Sequence, residues 1–138
     1  MRVIALDLGS RRIGVAVSDP SGTVATPHTV LARQADRATD HRTIGELVRE
    51  LGAERVVVGL PLSLDGRLGP AGRAAVDEAG ELAAALEVPV ETYDERLTTV
   101  AAERSLMSAR MRADARRRVV DKVAAAVLLQ SWLDGRRR

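Results

Sequence analysis

The chain has no cysteine and no phenylalanine, and it carries one tyrosine (Tyr93), one tryptophan (Trp132) and one lysine (Lys122) among 138 residues. Without cysteine there is no disulfide and no thiolate-metal site, and the cytoplasm is the expected compartment. With so few aromatics the chain cannot build the stacking platform on which single-strand binders hold bases. Any grip on nucleic acid must therefore be on phosphates and shape. The longest apolar run, Val123 to Leu129, is far too short to span a membrane. The first residues hold one arginine and a strand-like stretch, with no long apolar segment or small-residue cleavage site, so no signal peptide is expected.

What is present is ordinary in amount and uneven in placement. Hydrophobic residues make up 46% and charged residues 29%, as in a water-soluble globular protein, and the length predicts one domain over residues 1–138 with a real core. Residues 1–103 hold 11 basic and 16 acidic side chains, a net of −5, whereas residues 104–138 hold 10 basic and 3 acidic, a net of +7. A basic end on an acidic chain points to a polyanionic partner, nucleic acid being the commonest. A solubilising tail, or an arginine-rich genome (20 arginines to one lysine), accounts for the same numbers.

The chain is organised around residues 1–18. Arg2 to Leu6 reads as a buried strand, Asp7 to Arg12 as a connection with Gly and Ser, and Ile13 to Val17 as a returning strand, together a hairpin. A third strand, Thr23 to Leu31, contains Pro27 and suits a sheet edge. Asp36 to Asp40 starts a helix whose apolar positions Ile44, Leu47, Val48 and Leu51 repeat at helical spacing, and Gly52 stops it. Arg55 to Leu60 is a β-branched strand buried on both faces, Pro61 to Gly72 a loop, and Ala75 to Leu86 a second helical stripe. Val88 to Tyr93 is a strand ending in Asp94-Glu95-Arg96. A helix over about Thr98 to Met107, an irregular basic stretch Arg110 to Arg118, and a helix over about Val119 to Leu133 complete the chain. The order β-β-β-α-β-α-β-α-α predicts an α/β fold: a mixed sheet with a three-strand antiparallel meander, parallel strands after it, and helices on both faces.

Three acidic sites stand at positions that strand and helix geometry make significant. Asp7 lies at the carboxyl end of the first strand and Asp94 and Glu95 at that of the last, and in open α/β sheets ligands bind at the carboxyl ends of strands. Asp121 shares a helical face with Ala124, Ala125, Leu128 and Trp132, which carries its carboxylate toward the core. Buried carboxylates need compensation. Converging ones, without cysteine or a histidine pair, describe a site for a hard cation such as Mg²⁺. Each acid also has a plainer reading: Asp7 as a turn residue bonding the amides of Gly9 and Ser10, Glu95 paired with Arg96 or Arg104, and Asp121 as a helix-start acid. His28 and His41 stand alone and read as structural or surface residues, Asp65 as part of a Leu64-Asp65-Gly66 turn, and Trp132 as core.

Four ordered motifs are similar to those of the YqgF/RuvX family of bacterial RNase H-like proteins. They are Asp7 to Asp19 (DLGSRRIGVAVSD), Val58 to Gly66 (VGLPLSLDG), Asp94 to Thr99 (DERLTT) and Val120 to Ala125 (VDKVAA). The resemblance covers essentially the whole chain and implies an RNase H-like mixed sheet and a metal-dependent phosphodiesterase. Family members are described as nucleases maturing the 5′ end of pre-16S rRNA or as Holliday junction resolvases. Carried over by position, Asp7, Glu95 and Asp121 are the expected catalytic metal ligands, for Mg²⁺ or Mn²⁺. Resolvases of the wider superfamily often carry a further acid or histidine about three residues after the last aspartate; here that position is Ala124, and Asp94 is the nearest stand-in. Expected nucleic-acid contacts are Ser10, Arg11, Arg12, Arg96, Arg110, Arg112, Arg116, Arg117 and Arg118. The expected partner is structured RNA, with branched DNA as the alternative and a ribosomal precursor particle as the setting. No membrane is expected, and the chain is read as a monomer or homodimer. The rivals are a catalytically silent RNA-binding assembly factor and a phosphate-binding regulator. Asp7-Leu-Gly-Ser is similar to the first phosphate loop of actin-like ATPases, but there is no room here for their second domain.

Overall fold

The computed structural model describes residues 1–63, 65–98 and 113–136. Its strands are β1 (Val3–Leu8), β2 (Arg12–Ser18), β3 (Ala25–Ala32), β4 (Arg55–Leu60) and β5 (Val90–Asp94). Its helices are α1 (Arg37–Leu51), α2 (Pro70–Ala85) and α3 (Ala113–Arg136). The strands form one five-stranded sheet in the order β3-β2-β1-β4-β5. β2 and β3 run antiparallel to their neighbours, while β1, β4 and β5 are mutually parallel. This is the expected mixed sheet, with β1 at its centre.

Strand alternation sorts the apolar side chains onto two faces. Ile4, Leu6, Ile13, Val15, Val56 and Val58 pack with Ile44 and Val48 of α1 and Ala79 and Leu82 of α2. Val3, Ala5, Ala16 and Val57 pack against α3 through Ala124, Ala125, Leu128, Leu129 and Trp132. Among the described residues, α3 covers one face of the sheet and α1 and α2 share the other.

Local chemistry sets the boundaries. The Asp36 carboxylate accepts the Thr39 N–H at 2.8 Å and caps α1. Gly52, at φ 65°, ends the helix in the left-handed conformation. β3 is an edge strand: Pro27 lies opposite Ala16, and the register slips there into a bulge. At the start of β3, the Gln130 side chain of α3 accepts the Ala25 N–H at 2.9 Å and donates to the Thr23 carbonyl at 3.0 Å.

Several boundaries differ from the sequence reading: β1 runs on through Asp7 to Leu8, β5 begins only at Val90, and two helices start earlier than expected. α2 begins at Pro70, inside the stretch expected to be loop, because proline's fixed φ and missing N–H suit the first helical turn. α3 begins at Ala113, so Arg116, Arg117 and Arg118 belong to a helix rather than an irregular stretch; alanine and arginine are strong helix formers. The helix expected over Thr98 to Met107 lies outside the described residues except for Thr98, which follows a 3₁₀ turn over Glu95–Leu97. No described helix is long and apolar enough to cross a membrane.

A buried ionic cluster joins α1, α2 and the hairpin. Arg33, just past β3, donates to both carboxylate oxygens of Glu78 on α2, at 2.6 and 2.8 Å, and to Asp40 of α1 at 3.3 Å. His41 Nε2 lies 2.9 Å from the same Glu78 carboxylate. Burial pushes the Glu78 carboxyl up, but hydrogen bonds from Arg33 and His41 outweigh it and leave it below the usual glutamate range.

Two outcomes follow for stability. A carboxyl held low in the folded state stabilises fully above its unfolded pKa, and that contribution disappears as pH falls through the folded value. Denaturation between pH 7 and pH 3 should therefore show a steep acid loss that Glu78→Gln flattens, with the variant less stable at neutral pH because Arg33 loses its partner. Leu128, 1% exposed in the α3 face of the core, should cost about 2–5 kcal/mol on truncation to alanine, read as a lower urea midpoint with unchanged slope.

Candidate active site

Of the expected site residues, Asp7, Glu95 and Asp121 lie about the carboxyl end of β1, on the α3 face. Asp7 is 7% exposed and lies directly opposite Gly14 of β2. Alternation from Val3 and Ala5 places it on the side where α3 packs. On the other flank, β4 presents Gly59 two residues beyond Val57, the partner of Ala5, and so on the same face. Neither flanking position has a side chain.

Both glycines are filled by the other two acids. A Cβ at Gly14 would stand 2.1 Å from the Asp121 carbonyl oxygen and 3.3 Å from the Asp121 Cβ. A Cβ at Gly59 would stand 2.8 Å from Glu95 Oε1 and 3.1 Å from a methyl of Leu128. α3 thus seats Asp121 on one side of Asp7, and the turn after β5 lays the Glu95 carboxylate on the other. Positions 114 residues apart in the chain (7 and 121) are thus brought to either side of Gly14. These glycines were not singled out from sequence, although a lone glycine inside a strand pattern is the signature of a close approach.

The polar neighbours are specific. Arg12 Nε donates to Asp121 Oδ2 at 3.2 Å, both side chains being about a quarter exposed. The connection from β1 to β2 is closed by the Gly9 N–H donating to the Arg12 carbonyl at 2.9 Å, and it exposes Ser10 and Arg11 beside the acids. Gly9, Ser10, Arg11, Arg12 and Asp121 line one small cleft. Asp94 does not join the other acids. Its carboxylate accepts from Arg96 Nη2 at 2.7 Å and from the Arg96 N–H at 2.9 Å, which holds its carboxyl below the usual range. Arg96 also lies against the Gly66 turn, its Nη1 3.3 Å from where a Cβ would be. Asp65 is taken up by that turn, accepting from Ser63 and from the Arg67 N–H. Ala124 is buried core.

Of the expected arginine contacts, Arg110 and Arg112 lie outside the described residues. Arg116, Arg117 and Arg118 stand in the helix just before Asp121. His28 is exposed, whereas His41 is buried against Glu78. The Arg33–Glu78–Asp40 cluster was not foreseen, since its members are up to 45 residues apart with no local pattern.

The donor set consists only of carboxylate oxygens, the chemistry that fits a hard divalent cation. Among the described residues, however, no three acidic or histidine side chains form a group compact enough to hold a metal ion, and Asp121 is engaged by Arg12.

The family described as RuvX, Holliday junction resolvase, matches residues 1–135. The chain belongs to the RuvX family. Its relatives include a protein of Mycobacterium sp. (strain KMS), 50% identical over 137 residues, which are 99% of this chain and 81% of that one. Another, from Pelotomaculum thermopropionicum, is 46% identical over 138 residues, covering 100% of this chain and 90% of its own. Both are named "Putative pre-16S rRNA nuclease". In three dimensions this RuvX-family chain is similar to Thermus thermophilus RuvC, with a TM-score of 0.61 at 18% identity over 99% of this chain and 96% of that one. It matches the same protein solved with a Holliday junction substrate at a TM-score of 0.62. The likeness establishes an RNase H-like, RuvC-type fold.

The glycines should respond differently to substitution. Gly14→Ala drives a methyl into the backbone of α3 and should destabilise by at least about 1–3 kcal/mol. Gly59→Ala meets the ends of two side chains, Glu95 Oε1 and a Leu128 methyl, rather than backbone, and should cost less. Thermal unfolding of the two variants side by side measures the difference.

Proposed function

We propose that this chain is a nuclease that hydrolyses phosphodiester bonds with a divalent ion, Mg²⁺ or Mn²⁺, and that its substrate is the 5′ region of precursor 16S rRNA. The observation that carries the reading is the seating of Glu95 and Asp121 on the two glycines that flank Asp7. In this reading Asp7, Glu95 and Asp121 hold the ion, which supplies Lewis acidity toward the phosphodiester.

The rest falls to the chain's own groups. Ser10 and the exposed backbone after Gly9 offer donors to a phosphate. Arg12 balances Asp121, and once that carboxylate turns to a cation its guanidinium is available to substrate phosphate. Arg11 and Arg96 add positive charge at the rim, and Arg110, Arg112, Arg116, Arg117 and Arg118 extend it along the nucleic-acid backbone. One cytoplasmic domain over residues 1–138 does this work, on RNA within a ribosomal precursor particle. The names of the relatives favour RNA. The family's description favours the second reading, a branched DNA junction, which requires a homodimer cutting two strands symmetrically.

The test compares wild type with Asp7→Asn on a 5′-extended 16S precursor and on a four-way DNA junction, with Mg²⁺ or Mn²⁺. Cleavage of the RNA alone is expected, lost with EDTA and reduced at least about 100-fold by Asp7→Asn, with RNA binding retained. Cutting of the junction alone transfers the reading to branched DNA. Tight RNA binding without cutting of either substrate, unchanged by the substitution, identifies a binding factor.

A further inference from the structure

We propose that Arg33 is a positioning residue for the active site, fixing the Gly9–Arg12 segment that leads from Asp7 to Arg12. The proposal rests on the nuclease reading above. Arg33 holds this segment at two points. Its backbone N–H donates to the Arg11 carbonyl at 2.9 Å, and its Nε donates to the Gly9 carbonyl at 3.0 Å. The second bond reaches the chain two residues after Asp7.

The guanidinium is itself immobilised. Both terminal nitrogens are committed to Glu78 of α2, one of them also reaches Asp40 of α1, and the Asp40 carboxylate in turn accepts the Gln34 N–H at 2.9 Å. Asp40 and Glu78 are 5% and 2% exposed. The Nε–H, left over from this fork, is aimed at Gly9. Leu8 still packs against the core under α1 and α2, but beyond it Gly9 and Ser10 border a cleft of about 410 Å³ whose wall includes Arg33, Asp40 and Glu78. The position of the segment there depends on directed hydrogen bonds rather than on side-chain contact.

Energetics favour a role beyond holding helices together. A buried ion pair often contributes no more than well-packed apolar residues of similar volume, because desolvation cancels much of the attraction. What an apolar replacement cannot supply is a donor at a fixed point on the Gly9 carbonyl. Arginine also differs from lysine here, since lysine neutralises Glu78 but lacks a planar fork with a fifth N–H on a fixed bearing.

The experiment uses the full chain in three forms: wild type, Arg33→Lys, and the apolar double variant Arg33→Met with Glu78→Met. Each is measured for thermal midpoint, amide hydrogen exchange at residues 9–12, and kcat and KM on the 5′-extended precursor. Both variants are expected to fold, to exchange the Gly9–Arg12 amides about tenfold faster or more relative to those of α1, and to lose about tenfold or more in kcat with KM little changed. A double variant with the wild-type kcat overturns the proposal, as does exchange at residues 9–12 that neither variant accelerates. An inert wild type overturns the nuclease reading instead, and the exchange measurement then decides on its own whether Arg33 fixes the segment.

Discussion

A carboxylate at the end of a central strand has neighbours on both sides within about 5 Å, and what those neighbours carry decides what it can do. Around Asp7 they carry nothing: Gly14 on one side and Gly59 on the other leave the strand end without walls. α3 descends until the backbone of Asp121 rests on Gly14, and the turn after β5 folds inward until Glu95 lies on Gly59. The placement of the last helix and that of the Glu95 turn share this one steric origin.

Charge in this region is arranged as pairs with unequal commitments. Arg96 is committed to Asp94 through several hydrogen bonds. Arg12 touches Asp121 through one nitrogen at 3.2 Å, leaving the rest of its fork for another partner. Partly exposed pairs of this kind contribute little stability. They bear instead on which groups can be released to an incoming anion or cation, and Arg12 is far easier to release than Arg96.

Much of this was legible from sequence because it was local. Asp36 and Gly52 mark the two ends of α1, Pro27 marks an edge strand, and the helical spacing of Asp121 with Ala124 and Trp132 puts it on the side of α3 that lies over the sheet, although its carboxylate stays partly exposed beside Arg12. What was hidden depended on pairs distant in the chain. Gly14 and Gly59 look like ordinary strand glycines until α3 and the Glu95 turn are laid over them. Arg33, Asp40, His41 and Glu78 come from a loop and two helices, and no periodicity links them. The start of α3 was misplaced for a different reason, because a run of arginines reads as solvated coil although each is a good helix former.

The outer edge of the sheet bears on how copies of the chain can meet. β3 carries a proline and a bulge at its middle, and the Gln130 side chain already bonds the main chain at its start, in the place of a neighbouring strand. An edge so interrupted is a poor template for adding another strand. A symmetric pair of these chains, of the kind a branched substrate would demand, is therefore not expected to continue the sheet through β3.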